Sequence, residues 1–144
     1  MLADLIRRLT TPSAPPLSPH DGRLALAALM VRLARSDDQY SDRERARIES
    51  LLTAQYSLAP AEARALRAEA ERAEEAAPDT VQFTRVIKED VAYEHRTEVM
   101  ETLWRVALAD GIDADERGFL RLVANLLGVS DQDSGLARQR AEGK

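Results

Sequence analysis

Apolar residues along this chain recur at helical spacing, and no segment shows the alternation of a half-buried strand. Leu2, Leu5, Ile6 and Leu9 fall on one face of a short first helix. Residues 10–19 then carry four prolines, which lack the N–H a helix needs and favour an extended linker. Ser18 as N-cap, Pro19 in the first turn and Asp21 at the positive end of the dipole predict the start of the next helix. That helix runs to about residue 37 and is apolar nearly all round, through Leu24, Leu26, Leu29, Met30, Val31 and Leu33. A helix without a polar face belongs in the middle of a bundle. Ser41 and Glu44 have the spacing of a capping box, and the helix they open turns Ile48, Leu51, Leu52 and Tyr56 inward. Pro60 starts a helix to about residue 77, which is rich in Ala, Arg and Glu and reads as mostly solvent-facing. Its charge run over 69–75, with Arg64, Arg67 and Arg72, predicts i,i+4 pairs on a solvated face.

The second half repeats the theme. Val81, Phe83, Val86 and Ile87 predict a helix over about 80–89, and Val99, Met100, Leu103 and Trp104 one over about 93–109. Asp110-Gly111 stops the latter, because glycine accepts the left-handed conformation of a helix end. Asp113 and Glu116 cap a helix through Leu120, Val123, Leu126 and Leu127, closed by Gly128. Ser130 with Asp133 begins a last short helix. The expected fold is all-α, with about seven to eight helices in a compact bundle. Residues 1–20 form a short amphipathic helix and Pro-rich linker, 21–140 a helical domain and 141–144 a polar tail.

The halves align. With one offset Leu26 meets Val99, Met30 meets Leu103, Arg32 meets Arg105 and Asp37 meets Asp110. Beyond the loop, with one residue fewer, Ser41 meets Asp113, Glu44 meets Glu116 and Ile48 meets Leu120. Two buried helices, each followed by an acidic turn and a capped helix, point to a duplicated helix–acidic loop–helix unit whose halves pack on each other.

Composition narrows the function classes. The chain has no cysteine, which removes disulfides, thiolate metal sites and cysteine nucleophiles. Its net charge of -5 argues against nucleic acid as a partner, since that binding needs a basic footprint. The first ten residues lack the apolar stretch of a signal peptide, and no apolar run approaches a membrane span. The expected location is the cytoplasm. The first helix could dock on its own domain, on a protein partner, or weakly on a membrane surface, so that a position peripheral to the inner membrane stays open.

The residues resemble a known family. The segment 109–116 (Ala-Asp-Gly-Ile-Asp-Ala-Asp-Glu) and its partner 36–44 (Ser-Asp-Asp-Gln-Tyr-Ser-Asp-Arg-Glu) are similar to the paired acidic motif of the TerB-like, tellurite-resistance-associated proteins. Residues 83–87, 98–104 and 126–130 fit the same pattern, so that the likeness covers about 22–130. It implies an all-α fold of about seven helices in which the duplicated units are related by pseudo-twofold symmetry, stress-response or membrane-surface associations, and acidic residues suspected of binding a divalent cation. Asp38 departs from the pattern, standing where the first motif normally has glycine, and Gly118 stands where a larger residue is expected.

The acidic loops are the candidate site. Asp37, Asp38 and Glu44 could join Asp110, Asp113 and Glu116 around one Ca²⁺, Mg²⁺ or Mn²⁺ ion, for which carboxylates are suitable hard ligands. Each loop alone is too short to wrap an ion as an EF-hand does. The competing reading is structural: Ser41 and Asp113 are N-caps, and Glu44 and Glu116 complete capping boxes. A third use of the acids is to hold a basic protein partner. His20 and His95 read as surface residues, and no Ser/His/Asp grouping or phosphate-binding loop is present. Trp104 reads as core. Arg32 and Arg105 either snorkel and pair with nearby acids or anchor the loop carboxylates. The leading expectation is a non-enzymatic stress-response and interaction domain; the alternative is a metal-dependent hydrolase using the carboxylate cluster.

Overall fold

A computed structural model describes residues 19–37, 40–77, 79–109 and 111–143, with the side chains of Pro19, His20 and Asp37 outside the description. The expected first helix and proline linker lie outside it too, as does Ser18. Among the described residues there are seven α-helices and no strand. They are α1 (Pro19–Ala34), α2 (Asp42–Tyr56), α3 (Pro60–Ala76), α4 (Val81–Asp90), α5 (Tyr93–Leu108), α6 (Ala114–Leu127) and α7 (Asp131–Ala141). A short 3-10 turn, Arg35–Asp37, extends α1.

Helix α1 is the axis of the molecule. Every residue from 24 to 34 except Arg32 is buried, and α2, α3, α4 and α5 all pack against it. Burying one leucine contributes roughly 1.5–3 kcal/mol, so Leu24, Leu26, Leu29 and Leu33 form the seed of a single core. Phe83 and Ile87 of α4, Met100 and Leu103 of α5, and Leu120, Val123 and Leu127 of α6 complete it.

The helix ends follow local chemistry. Pro60 occupies the first turn of α3, and the Glu62 carboxylate accepts the Ala59 N–H at 2.7 Å. Gly128 closes α6 at φ 74°, and Val129 returns an N–H to the Ala124 carbonyl at 2.8 Å. Ser130 caps α7 by accepting the Asp133 N–H at 3.1 Å. That last helix packs along α5, where the Trp104 indole N–H donates to the buried Ser134 hydroxyl at 3.2 Å. Trp104 is a core residue, as its place on α5 predicts.

One helix departs from its sequence reading. Helix α3 buries a full stripe, Ala63, Leu66, Ala70 and Ala73, against α1. Its charge run is only partly a solvated i,i+4 face. Arg67 does pair with Glu71, but it also reaches Glu49 on α2, while Glu74 turns inward to Arg32 and Arg35. Small alanines let the helices approach closely, and that brings the acids within reach of arginines on the neighbouring elements.

Candidate functional site

The two acidic loops precede α2 and α6, and each ends in a capping box. At the first, Ser41 has extended backbone geometry; its hydroxyl accepts the Glu44 N–H at 3.2 Å, while Glu44 Oε1 accepts the Ser41 N–H at 3.0 Å. At the second, Asp113 Oδ1 accepts the Glu116 N–H at 2.8 Å, and Glu116 Oε1 accepts the Asp113 N–H at 3.1 Å. Each satisfies two N–H groups that a helix start leaves without an intrahelical partner. Gly111 takes φ 82° in the second loop, the helix-stopping conformation predicted for it.

Both boxes open on one cleft. Glu44, Asp113 and Glu116 line it together with Ala34, Val106 and Ile112, around a volume of about 290 Å³. Past Glu44 and Val106 the surface continues into a second cleft of about 390 Å³ between α2 and α5, where Arg43, Arg47 and Ser50 stand on the wall. The fold therefore brings residues of the two loops, which are distant in sequence, to one depression.

Three of the six candidate ligands are placed there. Asp38 and Asp110 lie outside the described residues, and of Asp37 only the backbone, in the 3-10 turn, is described. Among the described residues no three His, Asp or Glu side chains are grouped so as to hold a metal ion. The carboxylates of Glu44 and Glu116 spend Oε1 on capping, and an ionised carboxylate offers about four lone-pair sites in all. Capping thus does not exhaust them.

The two arginines at equivalent places go elsewhere. Arg32 spans from α1 to the C-terminal end of α3: Nε meets Glu74 Oε2 at 3.1 Å, and Nη2 donates to the carbonyls of Glu74 and Ala77 at 3.0 Å each. Its Nη1 reaches the Thr80 hydroxyl at 3.3 Å. Arg105 pairs with Glu101 one turn back at 2.7 Å. His95 is largely exposed beside Glu98.

The periodicity did not reveal how the first loop is tied down. Tyr40, which follows it, donates its hydroxyl to Glu71 Oε2 at 2.6 Å. Arg67 Nη1 donates to the same oxygen at 2.7 Å, while its Nε holds Glu49 Oε2 at 2.6 Å. The guanidinium groups of Arg35 and Arg45 lie 5.0 and 4.6 Å from the centre of the Tyr40 ring. Burial and the Glu71 contact push the Tyr40 phenol well above its ordinary range. Burial also pushes the Glu71 carboxyl up, but the Tyr40 hydroxyl, Arg67 and Arg45 outweigh it and hold that carboxyl below its usual value. An aromatic residue between the acidic pair and the N-cap Ser41 was the one available signal in the sequence.

No helix of the described residues is long and apolar enough to cross a membrane. A family model described as Tellurite resistance protein TerB matches residues 23–139. No curated protein and no solved structure matches the chain.

Proposed function

Given that the chain belongs to the Tellurite resistance protein TerB family, we propose that it is a non-enzymatic interaction domain of a stress response, whose paired acidic loops bind a divalent cation. The observation that carries this reading is the common cleft on which both capping boxes open, with Glu44 from one loop facing the same space as Asp113 and Glu116 from the other. The two loops belong to duplicated units related by a pseudo-twofold relation.

Helix electrostatics assign roles within the cluster. The loops leave the C-terminal ends of α1 and α5, where the carbonyl ends of the dipoles favour a cation by about 0.3–1 kcal/mol, and enter the N-terminal ends of α2 and α6, which disfavour one. Asp37, Asp38 and Asp110, close after the C-terminal ends, are the main ligands. Glu44, Asp113 and Glu116 neutralise the N-terminal ends by capping them and contribute their remaining lone pairs to the ion. All are hard oxygen donors, suited to Ca²⁺, Mg²⁺ or Mn²⁺. The cation would fix the two loops in one arrangement and so define the surface that a protein partner meets. The domain acts in the cytoplasm, peripheral to the inner membrane when its partner is there.

Calorimetry and thermal shift with Ca²⁺, Mg²⁺ and Mn²⁺ test this on the wild type and on Asp37→Asn/Asp110→Asn. One cation is expected to raise the melting temperature by mass action, by about 2.7 kcal/mol of stabilisation at a hundredfold excess over Kd. The double variant should lose that shift and keep its helical circular dichroism. No heat and no shift at millimolar cation in the wild type would reduce the acids to helix caps.

A further inference from the structure

We infer that the apolar residues of segment 1–9 occupy the groove between α4 and α6 of their own chain. This goes beyond the acidic loops and does not depend on them.

The groove encloses about 390 Å³ and is lined by Val81, Thr84, Arg85, Lys88 and Leu126. Val81 is 49% exposed, and Leu122, one turn before Leu126 on α6, is 47% exposed. Val81 and Leu126 give the groove its apolar lining, and Leu122 leaves a further apolar side chain at the surface of α6. The rim carries both signs of charge, Arg85 and Lys88 with Glu89.

The position of Gly22 points to the occupant. A Cβ on Gly22 would collide with the Asp90 carboxylate, so the start of α1 lies against the end of α4, within a turn of Lys88 and Glu89. The chain that precedes α1 therefore begins beside one end of the groove. The nine residues 10–18 can span at most about 28 Å at about 3.1 Å per residue. The stretch of α4 from Val81 to Lys88 rises only about 10 Å. Nine residues cover that distance with slack.

Its chemistry fits as well. Leu2, Leu5, Ile6 and Leu9 supply one apolar face, while Asp4 and the pair Arg7 and Arg8 can meet the mixed charges of the rim. So small a face binds a membrane or a free partner only marginally. Tethering changes that, because the linker holds the segment at an effective concentration of about a millimolar. Tethering favours the chain's own segment over a second copy or a lipid surface.

The chain has no cysteine, so crosslinking in the full-length protein is clean. Leu5→Cys is combined with Leu126→Cys in the groove, or with Ser50→Cys in the separate cleft between α2 and α5. The groove pair is expected to form an intrachain disulfide about tenfold faster than the other, at a rate independent of protein concentration. Trypsin should cut at Arg7 and Arg8 about tenfold faster in Leu5→Asp than in wild type, a readout that leaves the described helices untouched. Equal bridging rates and unchanged proteolysis would overturn the docking. So would a bridged dimer, which makes a second copy the occupant, or loss of the intrachain bridge on adding anionic vesicles to which the chain binds.

Discussion

Arg32 and Arg105 occupy equivalent places in the two halves of the sequence, yet the structure predicts very different costs for removing them. Arg32 is only 19% exposed and makes four hydrogen bonds, one to the Glu74 carboxylate, one to Thr80 and two to carbonyls at the end of α3. Its guanidinium also lies 5.5 Å from the ring of the fully buried Phe83. Hydrogen bonds to a charged group are worth about 1.5–3 kcal/mol each when a partner is deleted, but water can reach part of this site and replace some of them. A net loss of about 2–3 kcal/mol for Arg32→Ala follows. At roughly 3–5 °C per kcal/mol for a domain of this size, the melting temperature should fall by about 6–15 °C. Arg105 is 40% exposed and has a single i,i+4 partner, Glu101, so Arg105→Ala should cost about 0.3–0.5 kcal/mol and 1–2 °C. Thermal and urea unfolding of both variants, with unchanged m-values, measures the contrast. Arg32→Lys should recover less than half the loss, because an ammonium cannot serve Glu74, Thr80 and two carbonyls from one planar fork. An Arg32→Ala protein melting within about 2 °C of wild type, or one no worse than Arg105→Ala, would refute the clamp.

Two further outcomes follow from contacts elsewhere in the bundle. Because the Glu71 carboxyl is held below its ordinary value in the folded state, its stabilisation is complete above the unfolded value near 4.3 and is lost as pH falls through the folded value. Glu71→Gln should therefore cost about 1–2 kcal/mol at pH 7 and converge with wild type at low pH, which urea titrations at several pH values would show. Ser134→Ala leaves the indole N–H of Trp104 without its acceptor inside the core, and should cost about 1–3 kcal/mol. Trp104 is the single tryptophan, so its emission should shift in the native state of that variant while far-ultraviolet dichroism stays constant.

Much of the fold was legible in the residues because helix ends are local events. Ser41 with Glu44, Asp113 with Glu116, Ser130 with Asp133, and Gly111 and Gly128 each act through atoms within five residues, and all take the geometry their spacing implies. The all-round apolarity of 24–34 was equally plain, since only the centre of a bundle accommodates such a helix. What escaped was side-chain reach between elements. Glu71 and Glu74 sit in a run that reads as a solvated face, and nothing local shows that α3 turns them toward Tyr40, Arg32 and Arg35. Helix crossing decides that, and periodicity carries no crossing angle.

The candidate site was legible for the same local reason, and ambiguous for it too. A carboxylate three residues after an N-cap has the right type and place both to close a helix and to face whatever lies beyond the helix end. The capping bonds of Glu44 and Glu116 are therefore no argument against a ligand role, and their nearness across one cleft is information that no single loop contains. The loops, which differ by one residue in length, also differ in how they are held. The first is followed by Tyr40, clamped through Glu71 to α3, whereas the second turns on Gly111 and leans on the partly buried Ile112. Glu44 and Glu116 thus follow differently anchored segments: the first is tied at Tyr40 into a half-buried polar network, and the second turns on Gly111. Substitutions at matched positions should accordingly be compared pair by pair, since the anchoring of each acid is set by contacts outside the repeated pattern.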